Sequence, residues 1–290
     1  MIIIKLYGGL GNQLFQWAFG KALSNKQGTN VKFDTSSYLS DDLRNFELSN
    51  LIGDVQIASD REIKESRKEN NPAALLNRKV RSAVLPYYKR DIVCEKTYLF
   101  DEELLEKANP KGYFDGYWQN AHYFESMSPE ILKMIRFPSS HNKIFLDLRK
   151  EFQRNDITSI HVRRGDYANH PELLKIHGLC SAEYYSKAIS IIQEKQPNST
   201  FYVFSDDIDW CKLNLTSSAD LKYIDGTETM YEDLELLTLA SNNITANSSF
   251  SWWGAWLNQN ESKTIISPIK WFDQATIDFS EIVPKSWIKI

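Results

Sequence analysis

Thr158-Ser159-Ile160-His161-Val162-Arg163-Arg164-Gly165-Asp166-Tyr167 opens as a run of β-formers and closes on two guanidinium groups, a glycine and a carboxylate. Thr158, Ile160 and Val162 read as a buried strand. In open α/β sheets, ligands bind where strands end. Two adjacent arginines repel one another unless an anion sits near them, and the forked guanidinium suits phosphate oxygens. The stretch therefore reads as a strand delivering a phosphate site, with Asp166 beside it to handle a proton. The bland alternative is two solvated arginines and a structural Arg–Asp pair.

The pattern around this stretch is regular. Strands are expected at Thr158–Val162, Thr200–Phe204, Leu221–Ile224, Asn243–Ala246 and Thr264–Ser267. Helices are expected between them at Ser181–Lys195, Ile208–Leu213, Met230–Ser241 and Trp252–Gln259. Alternation of this kind implies a parallel sheet with crossover helices. The N-terminal half opens the same way. Ile2–Leu6 is a strand, Gly8-Gly9-Leu10-Gly11 a turn, Asn12 to Leu23 a helix and Val31–Asp34 a second strand. From Leu39 to Arg90 the pattern weakens, apart from a charged helix over Arg61–Lys68 and a basic stretch from Asn77 to Arg90. Tyr113 to Gln119 reads as an aromatic strand ending in an amide, and Pro129–Phe137 as a short helix. The chain divides near Phe137–Glu151, giving domains of residues 1–150 and 151–290.

Three further segments carry chemistry. Gly8-Gly9-Leu10-Gly11-Asn12-Gln13 lies between a strand and a helix, where free N–H groups receive an anion. It suggests a dinucleotide fingerprint with Asp34 downstream, but Leu14 replaces the third glycine, and there is no P-loop lysine. Asn247-Ser248-Ser249-Phe250-Ser251-Trp252-Trp253 enters a helix with more hydroxyls than one cap needs, and its tryptophans read as core. Phe204-Ser205-Asp206-Asp207 ends a strand in two carboxylates, suited to a nucleotide, a metal or a helix cap. His161 reads as a ligand hydrogen-bonding group in preference to a catalyst.

The chain-wide numbers bound the reading. A chain of 290 residues holds one large or two smaller α/β domains. Its net charge of −4 argues against broad attraction to nucleic acid or to an anionic membrane, so any anion binding must be local. Cys94, Cys180 and Cys211 are scattered and lack metal spacing, which fits a reducing compartment. The apolar run at Ile2–Ile4 is too short for a signal or a span, so the sequons at Asn198, Asn214, Asn243, Asn247 and Asn260 read as composition. The expectation is a soluble cytoplasmic protein without an integral membrane segment, at most peripheral to the inner membrane.

Taken together and in this order, the Gly8–Gln16, His161–Tyr167, Phe204–Asp207 and Asn247–Ala255 segments resemble the motifs of the α-1,2-fucosyltransferases of glycosyltransferase family 11, in their bacterial, unanchored form. The resemblance implies a GT-B-like α/β fold, two Rossmann-like domains facing a cleft. The first domain would be the acceptor side and the second would hold the nucleotide sugar. It implies transfer of fucose from GDP-β-L-fucose to the 2-hydroxyl of a terminal galactoside in a galactose-containing glycan, in surface polysaccharide synthesis of the O-antigen kind. Donor-binding residues would be Gly11, Asn12, His161, Arg163, Asp206, Ser248, Ser249, Phe250 and Ser251, with Arg163 on the β-phosphate. Arg163 and Asp166 would be catalytic. Asp166 would act as base with Glu172 behind it, unless Asp166 only holds Arg164. No cofactor and no metal is expected. Two other classes compete: a non-catalytic sugar or nucleotide-sugar binder using Tyr113, Tyr117 and Trp118, and an NAD-dependent oxidoreductase using the first glycine loop.

Overall fold

The computed structural model describes residues 1–70, 72–165, 170–215, 217, 219–274 and 276–290. Asp166 and Tyr167, the tail of the arginine motif, lie outside the described residues. The chain forms two compact units, Met1–Arg136 with Ser280–Ile282, and Phe137–Phe279 with Val283–Ile290.

The first unit is built on strands β1 (Ile2–Lys5), β2 (Val31–Asp34), β3 (Ile92–Cys94) and β4 (Tyr113–Asp115), in the order β2-β1-β4-β3. Each of its strand pairs is parallel. The Leu10–Gln27 helix is capped by Gly9 and ends at Gly28, whose φ of 59° is left-handed. It begins two residues before the expected Asn12, because Leu10 and Gly11 are already helical and buried. Its core contacts run almost all round, so Gln13 and Gln16 are buried with Phe15, Trp17 and Phe19. The aromatic strand stops at Asp115, short of the expected Gln119, because Trp118 adopts a left-handed φ of 56° that breaks the ladder.

The second unit is built on β5 (Ile157–Val162), β6 (Thr200–Ser205), β7 (Leu221–Tyr223), β8 (Asn242–Ile244), β9 (Ile265–Ser267) and β10 (Ile288–Lys289), in the order β10-β9-β8-β5-β6-β7. Its pairs are also parallel. All six residues of β5 are buried, as a strand covered on both faces must be. The period of two sorts them. Ile160 and Val162 pack with Tyr185, Ala188, Ile189 and Ile192 of the Ala182–Lys195 helix. Ile157 faces the other way, toward Phe145, Phe152, Leu236 and Leu237. Polar residues in this core are paired. Asn243 Nδ2 donates to Ser159 Oγ at 2.8 Å, and Thr158 and Ser199 share a hydroxyl contact at 2.6 Å.

Both sheets reverse direction once. In the first, the chain leaves β1 toward β2 and later returns to place β4 on the other side of β1. In the second, it leaves β5 toward β6 and β7, then returns to place β8 against β5. Loops leaving the carboxyl ends of the two strands at such a reversal part from each other, and the space they leave takes ligands. The loops at the second reversal carry Arg163-Arg164 and Asn247–Ser251. Those at the first carry Gly8–Asn12 and Gly116–Gln119.

Candidate active site

The parallel register sets the arginines. Val162 lies opposite Ser205, so Arg163 and Arg164 leave β5 abreast of Asp206 and Asp207 leaving β6. Arg163 Nη1 meets Asp206 Oδ2 at 2.6 Å, and Arg164 Nε meets Asp207 Oδ2 at 3.1 Å. The Arg164 amide donates to Asp206 Oδ1 at 2.8 Å. The Arg164 guanidinium also lies 4.0 Å over the Trp210 ring. Two cations that would repel are thereby each matched to one carboxylate. The partner expected for Arg164, Asp166, lies outside the described residues, and the observed partner is Asp207. Asp207 also accepts the Trp210 amide at 3.1 Å and caps the Ile208–Asn214 helix. Gly165 is required by proximity, since a Cβ there would lie 2.7 Å from Asp206 Oδ2.

His161 sits two residues upstream of Arg163, on the face of β5 opposite Ile160, and is buried. Burial lowers its pKa to about 4, the nearby Arg163 charge adds to this, and Asp206 opposes it. The ring is therefore neutral at pH 7. Its Nδ1 has no hydrogen-bond partner among the described residues. Its ring centroid lies 5.6 Å from that of Phe250, which brings the end of β5 to the helix after β8.

That helix, Ser249–Leu257, starts at Ser248, which is extended (φ −140°, ψ 126°) and makes no side-chain capping bond. Ser251 is buried and internally engaged, accepting the Ala246 amide at 3.2 Å and donating to the Ser248 carbonyl at 3.2 Å. Among the described residues no hydrogen bond engages the hydroxyls of Ser248 and Ser249, and they lie beside first-turn amides of the kind no helix can satisfy internally. Asn247 pins the approach by donating to the carbonyls of His177 (2.8 Å) and Trp271 (3.3 Å). Trp252 and Trp253 are fully buried packing residues. Gly254 lets the helix close on the Met230–Leu239 helix, since a Cβ there would lie 2.7 Å from Leu237 Cβ.

The first reversal holds a cluster of amides with unlike roles. Gln13 is consumed structurally, donating to the carbonyls of Gly8 (3.0 Å) and Asn45 (2.8 Å) and accepting the amides of Glu47 (2.9 Å) and Leu48 (3.0 Å). Gln16 ties the two loops, accepting the Tyr7 amide at 3.1 Å and donating to the Gly116 carbonyl at 3.2 Å. Among the described residues Asn12 accepts a single side-chain bond, from Gln119 Nε2 at 2.8 Å. Gln119 Oε1 is buried without a partner among the described residues. Gly11 is buried within the first turn of the helix. Glu95 fixes the kinked loop by accepting the amides of Tyr117 (2.7 Å) and Trp118 (3.0 Å), and burial raises its pKa to about 7 against the pull of those two donors.

Gln119, Glu95 and Trp210 were not flagged by sequence reasoning. Gln119 was visible only as an amide at a strand end, and nothing near Glu95 or Trp210 marked them. Asp34, the acid of the dinucleotide reading, is buried and accepts the Tyr113 hydroxyl at 2.7 Å and the Ser36 amide at 2.8 Å. It is thus committed to the fold, and the oxidoreductase reading loses its ribose ligand. Glu172 is exposed and paired with Lys175 at 2.9 Å on its own helix. Among the described residues, no group of three or more His, Cys, Asp or Glu is placed to hold a metal ion.

Two separate parallel sheets flanked by helices, each with a polar cluster at its reversal, are the elements of a GT-B-like two-domain α/β fold. The chain belongs to Glycosyl transferase family 11, whose family model matches residues 1–290. It is 35% identical to an Escherichia coli alpha-1,2-colitosyltransferase, over 100% of this chain and 99% of that one. It is 33% identical to the O-antigen biosynthesis glycosyltransferase WbnK of Escherichia coli, over 98% and 99% of the two chains. A solved structure of an Arabidopsis thaliana FUT1 mutant in complex with GDP shares the fold, with a TM-score of 0.51 at 10% identity, over 91% of this chain and 69% of that one.

Proposed function

We propose that this chain transfers L-fucose from GDP-β-L-fucose to the 2-hydroxyl of a terminal galactoside, with inversion, in the building of a surface polysaccharide. The second unit takes the nucleotide sugar and the first unit the acceptor. The observation that carries this reading is the polar constellation at the second reversal. Arg163, oriented by Asp206, leaves β5 next to a helix start with free amides, and a neutral His161 joins the two through Phe250.

The chemistry follows from charge. As the glycosidic bond breaks, the departing diphosphate gains negative charge, and fixed donors already aimed at it lower the barrier. Arg163, the Ser248 and Ser249 hydroxyls and the first-turn amides of the Ser249 helix are such donors. Asp206 holds Arg163 in place and does not serve as a metal ligand. A divalent ion bound by Asp206 and Asp207 would have to displace both guanidinium groups, which is why the reaction is assigned no metal. The acceptor hydroxyl attacks the opposite face of an oxocarbenium-like centre, turning the β-linked donor into an α-fucoside. Asp166 accepts the released proton in this scheme, with Glu172 as the second candidate. Asn12, oriented by Gln119, is the first-unit amide assigned to hydrogen-bond a sugar.

A second donor has its own support, since a relative aligned over its full length is named for colitose. The deciding experiment offers GDP-fucose and GDP-colitose separately with a panel of galactosides, followed by linkage analysis of the product. An α-1,2-fucoside supports the proposal, and an α-1,2-colitoside moves the donor while keeping the site. No turnover with either, together with a thermal shift by NAD and none by GDP, would refute it. No helix among the described residues is long and apolar enough to cross a membrane. We place the protein in the cytoplasm.

A further inference from the structure

The Pro72–Val84 helix is amphipathic in the wrong sense for a globular protein. Such a helix ordinarily turns its apolar stripe inward. This one buries none of its residues. Leu76, Val80 and Val84, spaced four apart on one face, are 65%, 57% and 73% exposed. Ala73 and Ala83 extend the same stripe and are exposed. The polar face is the one that holds the helix to its unit. Arg78 Nη1 donates to the Arg67 carbonyl at 2.8 Å and meets Glu69 at 3.0 Å, and Arg81 Nε meets Asp91 at 3.1 Å.

The exposed charge beside the stripe comes from lysines, because Arg78 and Arg81 are paired with Glu69 and Asp91 on the other face. Residues 72–90 contain Arg78, Lys79, Arg81, Lys89 and Arg90 and no carboxylate, in a chain of net charge −4. Lys79 and Lys89 are exposed, and the half-buried Tyr87 and Tyr88 follow the helix, Tyr87 with its hydroxyl on Asp101. Apolar residues flanked by lysines that can reach upward, closed by amphipathic tyrosines, match the layers of a bilayer surface. We propose that the Pro72–Val84 helix docks the first unit onto an anionic lipid bilayer, lying in its interface with Leu76, Val80 and Val84 inserted among the acyl chains. This proposal is independent of the reaction assigned above.

A second copy of the chain fits less well. Two such faces related by a twofold axis would oppose cation to cation. A stripe on a 13-residue helix, about 20 Å long, presents on the order of 300 Å², well short of the roughly 800 Å² per partner of a stable dimer. The helix is also too short to span a bilayer.

The test is flotation of the full chain with vesicles of phosphatidylcholine alone or mixed with phosphatidylglycerol. Binding is expected on the mixed vesicles only and should weaken as salt rises. Leu76→Ser with Val80→Ser should lower it about tenfold or more, and Lys79→Glu with Lys89→Glu should do the same. Because all four side chains are exposed, melting temperature and turnover on a soluble acceptor should stay at wild-type values. A Val80→Trp variant should show a blue-shifted emission with mixed vesicles. Absence of binding to mixed vesicles, or binding that the stripe variants leave intact, would overturn the proposal. So would a wild-type dimer that the Leu76→Ser, Val80→Ser protein loses.

Discussion

Arg163→Lys separates the role of charge from that of shape at the second reversal. The lysine keeps the positive charge, so the ion pair with Asp206, now 2.6 Å from Nη1, survives in looser form. Both partners are partly exposed, at 22% and 27%, so the stability at stake is about 1 kcal/mol or less. For a chain of this size, that moves the melting temperature by about 2–4 °C. On the proposed reading the catalytic loss is larger, because an ammonium cannot reproduce the paired N–H donors that a guanidinium would set against a diphosphate. Losing one such charge-assisted contact to a developing oxyanion costs about 2.7–4 kcal/mol, a fall of roughly 10²–10³ in kcat. The assay is steady-state turnover with the nucleotide sugar, run beside thermal melting and GDP titration of the same protein. A small melting shift and a large kcat loss are expected. Near-normal turnover in a folded Arg163→Lys protein would show that the fork does not meet the diphosphate. A loss of activity that merely tracks unfolding would make Arg163 a structural residue.

The other predictions draw on the same geometry. Arg164→Lys should act through stability, because it loses the stack 4.0 Å over Trp210, worth about 0.5–2 kcal/mol, and keeps its backbone bond to Asp206; a kcat loss without a melting shift would contradict this. His161 has a folded pKa lowered to about 4, so its neutral burial stabilises the fold above the unfolded value of 6.5, and that contribution, about 3 kcal/mol at most, is lost as pH falls from 6.5 toward 4. Glu95 runs the opposite way: its pKa is raised from 4.5 to about 7, so its contribution is full below 4.5 and is lost as pH rises through 7. The two slopes oppose each other between those values, so His161→Gln should tilt the profile toward a decline of stability with rising pH and Glu95→Gln toward a rise; melts of both variants across pH 4–8 that match wild type would refute the assignments. Activity should survive EDTA, and complete loss restored by Mn²⁺ would make Asp206 and Asp207 metal ligands.

What could be read in advance depended on how far apart the interacting residues lie in the chain. The strand at Ile157–Val162 was legible because its β-formers and its charged end are contiguous, and the alternation after it set the parallel sheet. Its arginine partners were not. Arg164 is set against Asp166, its neighbour in sequence, a pairing outside the described residues, whereas Asp206 and Asp207, some forty residues on, reach the two arginines because Val162 pairs with Ser205. Strand β3, three residues long, is too short to show a period, so Glu95 at its end carried no signal. The amides of the Gly8 loop make the limit plainer. Asn12, Gln13 and Gln16 are chemically alike in the sequence, yet Gln13 and Gln16 spend their hydrogen bonds on backbone groups that only the folded loops bring near. Asn12 is engaged by another side-chain amide instead, and keeps capacity for a ligand. The Pro72–Val84 helix inverts the usual inference altogether. Its periodicity is real, but periodicity names a face without saying which way it turns. The turn is set by Arg78 and Arg81 finding Glu69 and Asp91, and it is this pair of contacts that leaves Leu76, Val80 and Val84 outward.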